Sequence, residues 1–193
     1  VLNIYLPGNY GADALVDIIS GDVNPSGKLP YTYPAFPNSL STYYYKPSEV
    51  QNNAQGAYNY VGEINNLYDF GYGLSYSDFE ISNFTLQKDS ITFSDTIFIS
   101  TEVFNQSDID GFETVQIYSS DRSALISPDN KRLRDFRKVF VRSNSSETVR
   151  FEIAVNDLFY VNELNEFTLE NGMFDIHVGS NSSSLNTLPL YIK

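Results

Sequence analysis

From about Phe79 onward, apolar and polar residues alternate along the chain. Strand-like runs are separated by clusters of Ser, Asn, Asp and Gly, and there are seven of them: residues 81–87, 97–104, 114–119, 136–141, 148–155, 173–178 and 188–192. Side chains on a strand point alternately to its two faces, so each run offers one apolar face for burial. Seven short strands without a helical pattern predict a mainly β fold, a sandwich of two packed sheets.

Two kinds of sandwich fit this strand count, the immunoglobulin-like and the fibronectin type III-like. Antibody domains pack a Trp against a disulfide, but this chain contains neither Cys nor Trp. The fibronectin type III-like variety is therefore the better prediction for residues 79–193.

The first segment, residues 1–34, has a different pattern. A short apolar run over residues 1–6 ends at Pro7-Gly8, and apolar residues then recur at helical spacing until Gly21. This order predicts a strand, a turn and a helix, which is one unit of a parallel sheet, and such a sheet needs several strands. We therefore expect residues 1–34 to be the terminal piece of an α/β sandwich domain whose remainder precedes Val1.

A long loop or linker is predicted between these parts, over residues 35–78. Pro, Asn and Gly are frequent from residue 22 to residue 76, which predicts little regular structure there. Since structureless loops of this length are uncommon in compact domains, we expect it to be strapped over neighbouring surface. Its tyrosines Tyr43, Tyr44 and Tyr45 are candidates for contact with a sugar.

Charge and composition exclude several classes of function. The net charge of −12 repels phosphate backbones, which disfavours a nucleic-acid partner. No apolar run approaches the roughly 20 residues that span a bilayer, so no membrane span is predicted. With no Cys and a single His, the chain offers no cluster of soft metal ligands, and we expect neither a metal nor a cofactor.

Catalytic candidates are weak. Asp13 and Asp17 fit a solvated helix face, and Asp22 fits a turn. His177 alternates with apolar neighbours and is expected to face solvent on a strand. The acidic stretch 106–113 resembles the start of a calcium loop, but Gln106 and Ile117 occupy the first and twelfth ligand positions, so it is expected to be a turn.

Four glycosylation sequons occur in the chain. Their asparagines are Asn83, Asn105, Asn144 and Asn181.

Two turn motifs carry a family resemblance. One is NPSGKLP, residues 24–30, where Pro25 fixes a backbone angle; the other is FGYGLSYS, residues 70–77. Gly27, Gly71 and Gly73 are free to take positive φ angles, so both motifs are interpreted as fixed turns. Together and in this order, the two motifs resemble glycoside hydrolase family 3, in which the first ends an α/β sandwich domain and the second enters a fibronectin type III-like domain.

The resemblance continues along nearly the whole chain, with a gap between Pro34 and Asn66. It includes the stretches GFETVQIYSSD, KRLRDFRKVFV, SETVRFEI, NDLFYV and ENGMFDIHVGSNSS. One departure lies after the Pro-Gly turn, where the family often carries Gln-Glu and this chain has Asn9 and Tyr10.

Membership of this family would imply an exo-acting, retaining β-glycosidase of β-glucosidase type, secreted or lysosomal. In the family, the nucleophilic Asp lies in an N-terminal barrel and the acid or base lies upstream of the segment resembled here. Neither maps onto this chain, so catalytic residues are expected to be absent from it, and the isolated chain is predicted to be inactive. The carbohydrate substrate would be bound through the missing catalytic domains.

Two alternatives remain open from the residues alone. One is a stand-alone carbohydrate-binding or adhesion module with a β-sandwich fold; the other is a structural domain without a ligand. The lone strand-turn-helix unit favours the hydrolase fragment over both, because a self-contained module has no use for it.

Overall fold

The computed structural model describes residues 2–37, 42–47, 66–122 and 124–193. In these ranges a helix, α1 (Gly11–Ser20), precedes twelve strands. The seven long strands are β3 (Phe79–Leu86), β5 (Thr96–Asn105), β6 (Gly111–Asp121), β7 (Arg132–Val141), β8 (Ser146–Ala154), β11 (Gly172–Gly179) and β12 (Leu185–Ile192). The short strands are β1 (Tyr33–Pro34), β2 (Asn66–Tyr68), β4 (Ser90–Ile91), β9 (Tyr160–Val161) and β10 (Phe167–Thr168), and a 3-10 helix covers Val155–Leu158.

The long strands form two facing sheets. One has the order β3-β5-β8, and the other has the order β4-β12-β11-β6-β7. Neighbours are antiparallel except β12 and β4, which pair in parallel. Every predicted run overlaps one long strand, so the prediction of a mainly β, fibronectin type III-like sandwich is confirmed.

The core lies between the two sheets and is built from alternate residues of each strand. On β8, for example, Val149, Phe151 and Ile153 are buried while their neighbours are exposed. Val115 and Ile117 of β6 and Ile176 of β11 meet them from the other sheet. Each such side chain contributes about 1.5–3 kcal/mol by leaving water, which makes this layer the main source of stability.

The helix is confirmed, but the strand predicted before it is wrong for residues 2–6. Gly21 ends α1 in the left-handed conformation, with φ 87°, and its N–H bonds to the carbonyl of Ile18. Residues 2–6 adopt no regular structure, and Leu2, Ile4 and Leu6 are exposed. A strand needs a neighbour to complete its hydrogen bonds, and within the described ranges no strand lies alongside this segment.

A small sheet joins the start of the loop region to its end. Tyr33 of β1 pairs with Tyr68 of β2. This pairing adds a little regular structure to a region in which the sequence predicts almost none. Among the described helices, none has the length and hydropathy needed to cross a membrane.

Candidate functional site

The two turn motifs lie directly against each other. The backbone N–H of Leu29 donates to the carbonyl of Tyr72 at 2.8 Å, and the N–H of Gly71 donates back to the carbonyl of Leu29, also at 2.8 Å. Gly73 permits this contact, because a Cβ there would lie 2.1 Å from the carbonyl oxygen of Gly27. The chain thus closes residues 24–30 onto residues 70–77, and we call this contact the junction.

Of the three glycines that are free to take a positive φ, one does so. Gly71 has φ 79°. Gly27 and Gly73 are not in the left-handed region. At Gly73 the requirement is close approach of two backbones, and at Gly27 there is open space around the position of a Cβ.

Asn24 links the junction to the sandwich, and both polar atoms of its side-chain amide form hydrogen bonds. Its Nδ2 donates to Ser77 Oγ at 2.8 Å and to the carbonyl of Asp110 at 3.0 Å. Its Oδ1 accepts from Ser75 Oγ at 2.8 Å and from the N–H of Tyr76 at 2.9 Å. A side chain with four partners, three in residues 75–77 and one at Asp110, fixes the positions of these two segments relative to its own.

Lys28 makes the second link, through an ion pair with Glu113 of β6. The Nζ and Oε1 atoms are 2.7 Å apart. Oε1 also accepts from the N–H of Thr114 at 2.7 Å. Both side chains are largely covered, so this pair is shielded from water in a way that surface ion pairs are not.

Gln116 forms the third link, on the outer face of β6. Its Nε2 donates to the carbonyl of Ser180 at 2.6 Å and to that of Gly71 at 3.3 Å, while Oε1 accepts from the hydroxyl of Tyr118. Burial, together with the neighbouring Tyr43, raises the pKa of Tyr118, which therefore stays a neutral donor. The outer face of the sheet is thus covered by the loop region at this point.

Tyr43, Tyr44 and Tyr45 lie in the described part of the loop, and two of them serve packing. Tyr43 stacks on Phe70 with ring centroids 4.2 Å apart and meets Tyr118 edge-on at 5.8 Å. The carbonyl of Tyr45 accepts from the N–H of Asn130 at 2.8 Å. Tyr44 is the exposed member, with the guanidinium of Arg132 5.3 Å from its ring centroid. Contact of these tyrosines with a sugar stays a prediction, and Tyr44 is the best placed of the three.

A second group of tyrosines forms a surface row that sequence patterns did not indicate. Neighbouring ring centroids are 5.0 to 6.4 Å apart along the row, which runs Tyr5, Tyr31, Tyr33, Tyr68 and Tyr72. Tyr31 and Tyr33 are alternate residues in the sequence YTY, and Tyr68 ends the sequence NLY. The row itself depends on the pairing of β1 with β2. That pairing joins residues more than 30 positions apart, so local sequence could not indicate it.

The sequon asparagines differ in accessibility. Asn83 and Asn144 are exposed, and Asn181 is partly covered. Asn105 is 0% exposed, and its Nδ2 donates to the carbonyls of Ile109 and Val141. A glycan on Asn105 is incompatible with this fold, because the amide nitrogen that would carry it lies in the interior; glycosylation at the other three stays a prediction.

The carboxylates singled out from the sequence show no catalytic arrangement. Asp13 and Asp17 are exposed on α1, and Asp22 accepts a hydrogen bond from Ser20 Oγ at 2.6 Å. Asp108 of the acidic turn accepts from Asn144 Nδ2 at 2.8 Å. Within the described ranges, no three His, Cys, Asp or Glu residues are grouped closely enough to hold a metal ion.

Where the pKa of a carboxyl group is displaced, it is lowered. Hydrogen bonds from the backbone and side chain of Thr92 lower the pKa of Asp95, and those from Ser146 and Asn83 lower that of Glu102. Arg122 lowers the pKa of Asp175 in the same way. Burial alone would raise the pKa of Asp129, but hydrogen bonds and charges from Lys46 and Arg132 outweigh it. A general acid needs a raised pKa, so none of these four groups suits that role.

His177 lies on the outer face of β11, as the alternation predicts, but it is half-buried instead of facing solvent freely. Its Nε2 is 2.9 Å from Ser120 Oγ, and its Nδ1 is 2.8 Å from Thr187 Oγ1. Because Ser120 Oγ donates to the carbonyl of Asn130 at 2.6 Å, it accepts from His177. This serine is therefore oriented away from the role of a nucleophile activated by the imidazole.

Two family models match the chain. The glycosyl hydrolase family 3 C-terminal domain matches residues 1–76, and the fibronectin type III-like domain matches residues 113–182. The junction motifs lie inside the first match, while their partners Glu113, Gln116 and Ser180 lie inside the second.

Glycosidases resemble the chain in both sequence and structure. It is 31% identical to a periplasmic β-glucosidase of Salmonella typhimurium, over 95% of this chain and 25% of the relative. A lysosomal β-glucosidase of Dictyostelium discoideum is 32% identical over 96% of this chain and 22% of the relative. The crystal structure of a β-glucosidase from Listeria innocua in complex with glucose superposes with a TM-score of 0.82 and 29% identity, covering 98% of this chain and 27% of that one.

The chain spans about a quarter of the length of these relatives. The Lys28–Glu113 ion pair and the Gln116–Gly71 hydrogen bond join the two matched segments, which follow each other along the chain. The chain therefore belongs to glycoside hydrolase family 3 and corresponds to a C-terminal portion of its members.

Proposed function

We propose that this chain is the supporting C-terminal part of an exo-acting β-glycosidase and contributes no catalytic residue. The observation that carries the proposal is the junction. Lys28 and Gln116 link the two matched segments, through Glu113 and the carbonyl of Gly71, and Asn24 adds a hydrogen bond to the carbonyl of Asp110 in the sandwich. Three buried or half-buried polar links between two segments suit a part that holds domains in a fixed relation.

The activity of the whole polypeptide would be hydrolysis of O-glycosyl bonds at the ends of β-linked sugar chains. Similarity to glucosidases supports this substrate class. Their names place relatives in the periplasm and in lysosomes, which supports an extracytoplasmic location, secreted or lysosomal, for this protein as well. Tyr44, the exposed tyrosine of the loop, is the residue we would place nearest to bound sugar.

An activity assay tests the proposal directly. The purified 193-residue chain and the full-length gene product are each incubated with an aryl β-glucoside and an aryl β-xyloside. We expect release of the aryl group by the full-length protein only. Turnover by the isolated chain, at its correct mass, would overturn the supporting role.

The alternative of a stand-alone binding module gives a different result in a second measurement. Calorimetric titration of the isolated chain with neutral gluco-oligosaccharides should show no binding if the sugar is held by the missing domains. Binding that is lost in Tyr44→Ala, without any hydrolysis by the full-length product, would favour the module.

A further inference from the structure

Positive charge is concentrated on one edge of the sandwich. The twelve residues 131–142 contain six of the chain's 12 Lys and Arg residues and a single carboxylate, Asp135, although the net charge of the whole chain is −12. This segment is β7 with one residue on either side, and β7 is the edge strand of the five-stranded sheet.

Several of these cations already have partners. Arg132 pairs with Asp129, and Arg134 is largely buried and donates to Ser119 Oγ and to the carbonyl of Asp157. Lys131 donates to the carbonyl of Ser182. The exposed cations in the second half of the strand, Arg137 and Lys138, form no ion pair with any described residue.

Exposed phenyl rings accompany these unpaired cations. Phe136, Lys138 and Phe140 are alternate residues of β7 and share one face of the strand, at steps of about 7 Å. Phe112 of the neighbouring strand faces Phe140, with ring centroids 5.1 Å apart, and the Lys138 ammonium lies 5.3 Å from the Phe112 centroid. Phe136 is 60% exposed, and the other two rings are more than 40% exposed. Arg137 lies on the opposite face of the strand, with its guanidinium 5.3 Å from the ring centroid of the core residue Phe151. We call Phe112, Phe136, Lys138 and Phe140 the β7 patch.

Protection of a sheet edge explains part of this pattern. Lys and Arg on an edge strand hinder pairing with other chains. Two exposed phenyl rings on this strand and one on its neighbour have the opposite effect, because they add apolar surface to the edge. The rings and cations together therefore need another explanation.

We propose that the β7 patch binds a linear polysaccharide that carries carboxylates, such as a polyuronate. A phenyl face packs against the C–H face of a sugar ring, and Lys138 lies on the same face of the strand as Phe136 and Phe140, where it can pair with a carboxylate. Acidic residues of the chain that lie more than about 8 Å from the patch are screened at about 0.15 M salt. Binding at this site does not depend on the hydrolytic activity of the full-length protein.

An acidic peptide shares the negative charge but has no sugar ring, and a nucleic acid carries phosphates and five-membered sugar rings in place of carboxylates on six-membered rings. They serve as comparison ligands, as does a neutral oligosaccharide that has the ring but no charge. The experiment is amide chemical-shift mapping of the 193-residue chain with four probes: oligogalacturonate, cellohexaose, oligoglutamate and oligothymidylate. Oligogalacturonate should shift the amides of residues 136–140 and 112 and bind at least about tenfold more tightly than the other three.

Two variants and two controls locate the site. Phe136→Ala and Lys138→Glu should each weaken oligogalacturonate binding about tenfold, and the binding should weaken as salt is raised. Phe98→Ala, an exposed ring on the opposite sheet, and Lys193→Glu, an exposed cation at the C-terminus, should leave it unchanged. All four positions are exposed, so each variant should keep its thermal unfolding midpoint.

Three outcomes would overturn the proposal. One is the absence of shifts at 136–140, and a second is equal loss in Lys193→Glu and Lys138→Glu. The third is equal or tighter binding of oligoglutamate or oligothymidylate, which would show that the patch selects charge or a different polymer.

Discussion

The ammonium group of Lys28 lies 2.7 Å from a carboxylate oxygen of Glu113, with only 15% and 8% of the two side chains exposed. Removing one member would leave the other charge buried without its partner, at a cost of about 3 kcal/mol. We therefore expect Lys28→Met to lower the free energy of unfolding by about that amount in urea denaturation of the chain.

A surface pair supplies the control for this variant. Lys88 lies 3.6 Å from Asp95, and more than half of the lysine side chain is exposed. Lys88→Met should change the free energy of unfolding by less than about 1 kcal/mol. Equal losses in the two variants would mean that the Lys28–Glu113 pair is no more shielded than a surface pair.

The junction also predicts opposite outcomes for two glycines. In Gly73→Ala the new methyl group would lie 2.1 Å from the carbonyl oxygen of Gly27, so the two turns must separate. In Gly27→Ala the methyl group meets nothing within 4 Å. We expect Gly73→Ala to cost about 2–4 kcal/mol and Gly27→Ala less than about 1 kcal/mol in the same denaturation experiment. If Gly73→Ala left the free energy of unfolding unchanged, the two backbones would not be in contact in solution.

The strands were predictable from sequence because each carries its own signal. In β8, for example, Val149, Phe151 and Ile153 alternate with exposed residues, and this alternation is visible without knowledge of the partner strand. The short strands were not predictable, because two or three residues cannot show a period. β1 and β2 exist through their pairing, which depends on contacts between residues far apart in the chain.

The junction was only partly predictable. Both turn motifs and their glycines are visible in the sequence, but the sequence indicates only that Gly73 is free to take a positive φ, and its role is the close approach of another backbone. Asn24 and Lys28 belong to the first motif, but the sequence does not indicate their partners Ser77 and Glu113, which are more than 50 residues away. The sequence makes Tyr43 a candidate for contact with a sugar, yet its ring packs on Phe70, which is also distant from it along the chain.

Stability should depend on pH through His177, the only histidine in the chain. Burial, and then the nearby Lys131, lower its pKa below the ordinary value of 6.5, with Asp175 opposing in part. Between the folded and unfolded pKa values the unfolded state binds more protons, so the free energy of unfolding rises with pH there. This contribution is complete above 6.5 and is lost as pH falls through the folded pKa.

Comparison with His177→Gln isolates that effect from the carboxylates, which titrate at lower pH. The variant should show a smaller change in unfolding free energy between about pH 7 and pH 5 than the parent chain. A proton NMR titration of the single imidazole gives the folded pKa directly. A measured pKa at or above 6.5 would contradict the predicted direction.

Accessibility predicts which sequons can carry a glycan. In a glycosylating host, peptide mass spectrometry should find glycans at Asn83 and Asn144 and none at Asn105, whose amide nitrogen donates two interior hydrogen bonds. Asn105→Ala should also destabilise the chain by about 1–3 kcal/mol, because the carbonyls of Ile109 and Val141 lose their donor. Occupancy of Asn105 in folded protein would contradict the position of this side chain.

The segment before the junction should make the isolated chain self-associate. Leu6 is 98% exposed, Ile19 on α1 is also exposed, and residues 2–6 are held to the rest of the described chain mainly through Asn3 and Tyr5, which contact Tyr31. In a full-length family member, a parallel sheet would cover such apolar residues, and in its absence a second copy is the nearest apolar surface.

Sedimentation velocity should therefore show concentration-dependent association of the isolated chain, and the double variant Leu6→Ser, Ile19→Lys should remove it. Leu164→Ser, at a position far along the chain that is about as exposed as Ile19, should leave the association unchanged. If the isolated chain stays monomeric and its amides at residues 3–6 exchange slowly with solvent, the segment is stably housed without further strands, and the expectation that it belongs to a larger α/β domain would be wrong.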